Sequence, residues 1–216
     1  MLRRIAGTAP LKTTRKIKSQ HPEVSMKPEQ TRTIQELIQS YNAGHQLEYV
    51  FFWGHTPPGN GSVSHTCLSQ WYDASFAVDG IKFLTAEHYM MYHKARLFGD
   101  NDAAAKVLQA DNPGEAKKIG RSVRNFQREK WQENCVEIVT QGNINKFSQN
   151  KDILSYLFAT KNKVLVEASP HDTIWGIGLA ADAKGIENPL TWKGKNLLGF
   201  ALMEARAKLM EKGSLT

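Results

Sequence analysis

Hydrophobic residues recur at helical spacing along much of the chain. Between residues 34 and 41 the apolar positions follow i, i+3, i+4 and i+7, which predicts a short amphipathic helix that ends near Gly44. The same period predicts helices over 129–147, around 153–158 and over 197–210. The hydrophobic pattern therefore favours a mainly helical fold.

Capping residues predict three further helices in the first half of the chain. Thr85 can cap a helix that Gly99 ends, because a threonine oxygen accepts a bond from the first turn and glycine tolerates the left-handed conformation after the last one. Asp100 can cap the next helix, which continues to Gln109. Pro113 suits the first turn of the third.

Short β-prone runs interrupt this helical pattern. Residues 47–53 and 164–169 read as strands, and a long loop rich in glycine and proline follows the first of them. Asp79-Gly80 lies between two further β-prone runs and predicts a tight hairpin, whereas the composition of 170–196 predicts an irregular segment. The expected fold class is mainly α with a few short β-strands, of the α+β type, in a single domain.

Composition narrows the class of protein further. A chain of 216 residues with 41% apolar residues can bury one core, and no apolar run approaches the roughly 18 residues of a membrane span. Cys67 and Cys135 are too few for a disulfide framework, which favours a reducing compartment. We expect an intracellular monomer, cytoplasmic or nuclear, without membrane contact.

The positive charge is concentrated at the N-terminus. Of 28 basic residues, six lie within residues 1–20, where no acid occurs, so the other 22 nearly balance the 21 acidic residues. We predict a disordered basic tail over 1–30 and a folded domain over 31–212. The tail has three readings: a solvated segment, a mitochondrial targeting sequence, or an arm that contacts nucleic-acid phosphates.

Two common kinds of site are not predicted. No C-x-x-C, H-E-x-x-H or H-x-x-E-H spacing occurs, and His88 and His93 are five residues apart, which separates them by about 140° around a helix. The sequence WGIGLAA at 175–181 resembles a dinucleotide fingerprint but lacks the βαβ frame. We expect neither a metal nor a cofactor.

Glu87 and Lys94 are the first candidates for chemistry. They are seven residues apart on a predicted helix, so they differ by about 20° around the axis and about 10 Å along it. Because helical side chains lean toward the N-terminus, the Lys94 amine can approach Glu87, and both can border one pocket. The alternative is that both are ordinary helix-end charges matched to the helix dipole.

A second candidate lies in the glycine-marked loop after the last predicted strand. Asp172 and Trp175 offer an acid and an aromatic plane to a base or sugar. The alternative is an Asx turn over a core tryptophan. Cations that could hold a phosphate, or could be ordinary surface charges, are Arg121, Arg124, Lys193 and Lys195.

Several stretches in order along 47–210 resemble one known family. They are FFWGH at 51–55, LSQW at 68–71, TAEHYMMYHKARLF at 85–98, GR at 120–121, KFSQ at 146–149, LVEASPHDTIWGIG at 165–178 and KGKNLLGFALMEAR at 193–206. By these motifs the chain resembles the NADAR family, named for NAD and ADP-ribose. The resemblance implies a YbiA-like fold and the hydrolysis of N-glycosidic bonds, with family substrates among early riboflavin-pathway intermediates or ADP-ribosylated guanine.

The motifs carry site residues over to this sequence. The implied catalytic residues are Glu87, Lys94 and Asp172. The implied substrate-binding residues are Trp53, Gly54, Ser69, Trp71, His88, Arg121, Trp175, Gly176, Asn196 and Gly199. The chain departs from the family pattern twice: Gln70-Trp71 replaces Asn-Phe, and the extra segment 179–192 could form a lid or contact the substrate.

These residues suit a ribosyl N-glycosidase. Cleavage develops positive charge at C1, so a carboxylate can stabilise that charge while an acid protonates the leaving base, and Glu87 and Asp172 supply both types. A neutral Lys94 amine could attack C1 and form a Schiff base with the opened ribose, or could only orient Glu87 while water attacks.

The predicted function is removal of ADP-ribose from guanine bases of DNA or RNA. The alternatives are hydrolysis of riboflavin-pathway ribosylamine phosphates, binding of ADP-ribose without turnover, and nucleic-acid binding through the basic tail. The expected partners are therefore an ADP-ribose or ribose-phosphate substrate and, for two of these functions, a nucleic acid.

Overall fold

The computed structural model describes residues 27–213, and within them it contains seven helices and four short strands. These are α1 (Ile34–Asn42), β1 (Tyr49–Phe52), β2 (Phe76–Val78), β3 (Ile81–Phe83), α2 (Ala86–Leu97), α3 (Asn101–Gln109), α4 (Pro113–Arg121), α5 (Arg128–Ser148), α6 (Lys151–Ala159), β4 (Val164–Glu167) and α7 (Leu197–Gly213). The predicted fold class, mainly α with a few short β-strands, is confirmed. The sequence pattern did not predict the single 3-10 turns at Pro28–Gln30, His65–Leu68 and Pro189–Thr191.

Most of the predicted basic tail, residues 1–26, lies outside the described residues. Its last residues are described: Pro28–Gln30 form a 3-10 turn, and the nearby Arg32 side chain donates to Glu204 of α7 at 2.5 Å. Among the residues that the structure describes, no helix has both the length and the apolar character needed to cross a bilayer.

The predicted helix caps and the hairpin are confirmed. Thr85 Oγ1 accepts a hydrogen bond from the His88 N–H, and Asp100 Oδ1 accepts one from the Ala103 N–H. Asp79 and Gly80 both have positive φ angles, of 50° and 77°, as a two-residue hairpin turn of the predicted kind requires. Local sequence chemistry thus fixes where α2, α3 and the β2–β3 hairpin begin.

The two predicted longer strands pair in parallel. In the register of β1 and β4, Tyr49 lies opposite Val164 and Phe52 lies opposite Glu167. Their carboxyl ends are therefore adjacent, and the chain leaves both strands there into loops. Crevices at the carboxyl ends of parallel strands are common ligand sites.

Helix α2 is enclosed by its neighbours. It packs against α3, α4 and α5, and its first six residues, 86–91, are all buried. The helix consequently lacks a solvent-facing polar stripe over its first turn and a half. Any charged group in that turn, such as Glu87, is forced into the interior.

The extra segment 179–192 packs against the start of β1 and against α1. The Tyr49 hydroxyl donates to Glu187 O at 2.8 Å, and the Trp192 indole N–H donates to Ile186 O at 2.6 Å. The 3-10 turn at Pro189–Thr191 contacts α1, whose Leu37 is fully buried. The segment thus joins α1 to the rest of the domain.

Candidate active site

Two adjoining cavities lie where β1 and β4 end. The inner cavity has a volume of about 330 Å³ and the outer one about 490 Å³. The residues that line both are Ser69, Trp71, Lys117, Arg121, Glu167 and Asp172. The shared lining makes the two cavities parts of one cleft.

Glu87 and Lys94 both line the inner cavity, as their helical spacing predicts. Lys94 is half-buried, and its Nζ donates to Gly120 O at 2.7 Å and lies 4.5 Å from the centre of the Phe126 ring. Burial lowers the pKa of Lys94, Glu87 opposes this shift and the positive charge of Arg121 adds to it. The amine is thus held at the edge of the cavity with a reduced tendency to carry a proton.

Glu87 is almost completely buried, with 5% of its surface exposed. Burial raises its pKa to about 7, while the Lys117 charge and the Trp71 side chain act in the opposite direction. A carboxyl group with this pKa can exchange a proton near neutral pH, as acid–base chemistry requires.

Glu167 is a carboxyl group in the cleft that the motifs did not single out. It is the last residue of β4 and lines both cavities. Its Oε2 is fully enclosed and has no hydrogen-bond partner among the described residues. Burial, followed by repulsion from Asp172, raises the pKa of Glu167 to about 8.

Asp172 has a structural role and also faces the cleft. Its Oδ1 accepts hydrogen bonds from the backbone N–H groups of Ile174 and Trp175, both at 2.8 Å, which is the Asx-type turn weighed above. Asp172 also lines both cavities, and Trp175 lines the inner one. The two interpretations of this residue are therefore compatible.

Two cations at the junction of the cavities come from α4. Lys117 and Arg121 are four residues apart, which places them on one face of the helix. Arg124 instead donates to Asp100 and Asp102, at 2.7 and 2.8 Å, outside the cleft. Lys193 and Lys195, two further candidate cations, line neither cavity.

Buried polar groups of α5 hold the segment 67–71, which forms one wall of the cleft. The Lys146 amine is fully buried and donates to Cys67 O at 2.7 Å and to Ser69 O at 2.8 Å. Asn143 Nδ2 donates to Gln70 Oε1 at 2.8 Å. Gln70 itself lines the inner cavity and its Nε2 has no partner within the described chain. These contacts position Ser69 and Trp71.

The outer cavity is more open and has an aromatic rim. Trp53 and Gly54 line it, as expected from the FFWGH motif, together with His55 and His171. Trp53 is 53% exposed and its ring centre lies 6.3 Å from that of His171. Exposed aromatic rings of this kind offer stacking surfaces to a base.

Four of the predicted binding residues line neither cavity: His88, Gly176, Asn196 and Gly199. Both ring nitrogens of His88 already have partners, Thr85 Oγ1 at 2.9 Å and Ala110 O at 3.1 Å. The other three lie around the end of β4, where Asn196 Oδ1 accepts a bond from the Glu167 N–H. These four residues therefore lie outside the lining of the cleft, and Asn196 holds the backbone at the end of β4.

The lining includes residues that sequence reasoning missed: Gln70, Met90, Met91, Lys117, Trp131, Glu167, Ile174 and Leu198 in the inner cavity, and Phe52, His55, Lys117, Glu167, Ser169 and His171 in the outer one. For two of them, the sequence contained a feature that could have identified them. Lys117 is one helical turn before Arg121, and Glu167 is the only acid of its strand and stands at its carboxyl end. No residue of the extra segment 179–192 lines either cavity.

Comparisons with known proteins identify relatives of this chain. The model of the NADAR domain matches residues 51–210. An N-glycosidase of Acanthamoeba polyphaga mimivirus is 44% identical over 164 residues, which cover 74% of this chain and 95% of that protein. A riboflavin biosynthesis protein of Vibrio vulnificus is 32% identical over 148 residues, which cover 68% of this chain and 36% of that protein.

One solved structure supports the fold. The NMR structure of the Escherichia coli protein YbiA matches with a TM-score of 0.59 and 24% sequence identity, over 79% of this chain and 89% of that one. With the family model covering most of the domain, and with its motifs gathered around one cleft, the chain belongs to the NADAR domain family.

Proposed function

We propose that the protein is an N-glycosidase that hydrolyses the bond between ribosyl C1 and a base nitrogen, and that it removes ADP-ribose from guanine bases of nucleic acid. The observation that carries the proposal is the grouping of three carboxyl groups, the Lys94 amine and two further basic side chains around one cleft. The name of the mimivirus relative, an N-glycosidase, supports the bond class.

The charges of the cleft suit the proposed reaction. As the C1–N bond breaks, positive charge develops at C1, and a carboxylate such as Glu87 or Asp172 stabilises it. Lys94, with a lowered pKa, is the candidate nucleophile for a Schiff-base route, because only the neutral amine attacks carbon. Lys117 and Arg121 are the candidate partners of a phosphate group.

The outer cavity favours the larger of the two family substrate types. A ribose phosphate would fill the inner cavity and bind Lys117 and Arg121 through its phosphate. ADP-ribose has a second nucleoside that needs further space. The outer cavity supplies about 490 Å³ and the exposed Trp53 ring. We therefore favour an ADP-ribosyl substrate over a ribosylamine phosphate.

The second candidate function is hydrolysis of a riboflavin-pathway ribosylamine phosphate, favoured by the name of the Vibrio relative. The two functions separate in one assay. Full-length protein is incubated with an ADP-ribosylated guanine oligonucleotide and, in parallel, with the ribosylamine phosphate, and the released products are measured by mass spectrometry. We expect turnover of the oligonucleotide; turnover of the ribosylamine alone would favour the second candidate, and binding of ADP-ribose without turnover of either would contradict the enzyme proposal.

Lys117 and its exposed neighbour Lys118 offer a matched pair for testing phosphate recognition. Loss of one charge-assisted hydrogen bond costs about 1.5–3 kcal/mol, so Lys117→Ala should raise KM for a phosphorylated substrate at least about tenfold. Lys118→Ala should leave KM unchanged, because Lys118 lies outside both cavities. Equal KM values for both variants and the wild type would remove Lys117 from the phosphate site.

A further inference from the structure

The backbone of Glu167 is held on both sides by hydrogen bonds from the loops that follow β4. Its N–H donates to Asn196 Oδ1 at 3.0 Å, and its carbonyl oxygen accepts from the Ile177 N–H at 3.0 Å. A side chain at Gly176 would lie 2.8 Å from the same carbonyl oxygen, so that position requires glycine. Both backbone groups of Glu167 are therefore fixed from outside its own strand.

The position of Asn196 is itself fixed by further contacts. Its Nδ2 donates to Leu165 O at 2.9 Å, it is fully buried, and its φ of 54° lies in the left-handed region. Gly199 lets α7 approach so closely that a side chain there would overlap Leu165 O and the Asn196 amide. Three residues from the glycine-rich motifs thus converge on one strand end and direct the Glu167 side chain into the cleft.

The Glu167 side chain has no hydrogen-bond partner among the described residues. Its Oε2 is enclosed, no described group donates to it or accepts from it, and it lines both cavities. Buried polar atoms almost always have partners, so an unpaired one in a cavity points to a bond that only the ligand completes. The cleft is where the bond to be cleaved would lie under the proposed function.

We propose that Glu167 is the proton donor of the reaction. As the C1–N bond breaks, its electron pair moves to the leaving nitrogen, which takes the proton from Glu167. Water then adds its hydroxyl to C1, either directly or by displacing the Lys94 amine from a C1 adduct. The remaining proton of that water returns to the Glu167 carboxylate. The inference rests on the proposed function and assigns the acid within it.

The other two carboxyl groups fit this role less well. Asp172 Oδ1 is already occupied by two backbone N–H groups. Glu87 is close to Lys117 and Trp71, both of which favour its charged form. Glu167 has the neighbouring acids Asp172 and Glu87, which favour its protonated form, and only Lys117 acts against them. The further titratable groups of the two cavities are Lys94, Arg121, His55 and His171.

Substrates with graded leaving groups test the assignment. Wild type, Glu167→Gln and Asp172→Asn are compared on a series of N-ribosyl compounds whose leaving amines differ in basicity. The need for an acid grows with that basicity, so Glu167→Gln should lose about a hundredfold or more in rate on the most basic amine and less than about tenfold on the least basic. Asp172→Asn should lose rate evenly across the series, and an even loss in Glu167→Gln would overturn the proposal.

A stability measurement tests the same residue without turnover. An acid whose pKa is raised by folding contributes stability that is present below its unfolded pKa and lost as pH rises through its folded pKa. The melting temperature of Glu167→Gln should therefore rise relative to wild type between about pH 5 and pH 8. The exposed Glu133→Gln should follow wild type throughout.

The two measurements separate the possible failures. Wild type that cleaves no N-ribosyl compound would contradict the proposed function, whatever the variants do. A melting difference between Glu167→Gln and wild type that stays constant with pH would show that Glu167 is ionised in the folded protein, and would overturn the assignment of Glu167 as the acid.

Discussion

Replacing Lys94 by alanine is expected to lower the rate of N-glycoside cleavage on the order of a thousandfold or more, the scale seen when a covalent nucleophile is removed. The reason is the position of the amine: it lies at the edge of the inner cavity, half-buried, with a pKa that burial lowers. The single hydrogen bond from Nζ to Gly120 O must be exchanged for the attack on C1. The rate is measured at saturating substrate, with circular dichroism to confirm folding.

A second variant separates nucleophilic from electrostatic roles of Lys94. Lys94→Arg keeps a positive charge and a donor for Gly120 O, but the guanidinium stays protonated and cannot form a Schiff base. We expect it to be as inactive as Lys94→Ala, and we expect borohydride to trap a sugar adduct on the wild-type peptide that contains Lys94. An active Lys94→Arg enzyme without a trapped adduct would instead support direct attack by water.

Gly199→Ala is expected to reduce the free energy of unfolding by about 3 kcal/mol, from overpacking and the loss of a buried hydrogen bond. The added methyl would overlap Leu165 O and the Asn196 side chain, so α7 must move away from β4 or Asn196 must leave its position. In a domain of this size such a loss lowers the melting temperature by roughly 6–12 °C. Chemical and thermal unfolding both measure it.

Gly59→Ala is the matched control for this change. Gly59 lies in the exposed loop after β1, has no positive φ, and has open space where the methyl group would go. Its unfolding free energy should equal that of the wild type within about 0.5 kcal/mol. If Gly199→Ala were as stable as Gly59→Ala, the close approach of α7 to β4 would not be required for the fold.

The helices and their caps could be predicted from sequence because their signals are local. The Thr85 and Asp100 caps and the Asp79-Gly80 turn depend on side chains within three residues of the groups they bond. The same holds for Glu87 and Lys94, whose common face follows from helix geometry alone. One part of the cleft was therefore predictable without knowledge of the tertiary fold.

The rest of the cleft depends on contacts between distant segments. Nothing local indicates that β1 pairs with β4, which are more than 100 residues apart, or that α4 presents Lys117 to the strand end. Glu167 acquires much of its unusual environment from that assembly, since two of its charged neighbours, Glu87 and Lys117, come from α2 and α4. Spacing rules describe single elements and cannot supply such juxtapositions.

The family resemblance indicated the right segments but not the way each residue acts. Gly176, Asn196 and Gly199 were expected to shape a nucleotide site, and they lie behind its wall, where they fix the backbone of β4. A motif position can therefore matter through the atoms that it holds in place. Whether any of the three also contacts substrate stays a prediction.

The buried Lys146 amine resembles a structural metal ion in what it does for the cleft. Like a bound cation, it gathers carbonyl oxygens, those of Cys67 in the 3-10 turn His65–Leu68 and of Ser69 just after it, and so shapes a wall of the cleft. Unlike a metal ion, it is covalently part of α5, so chelators and dilution cannot remove it. Burial lowers the pKa of Lys146 to about 7, so the folded protein binds this proton less tightly than the unfolded chain does, and the contribution of Lys146 to stability rises as the pH increases above about 7. This wall is thus a scaffold that resists metal depletion and becomes more stable in mildly alkaline solution.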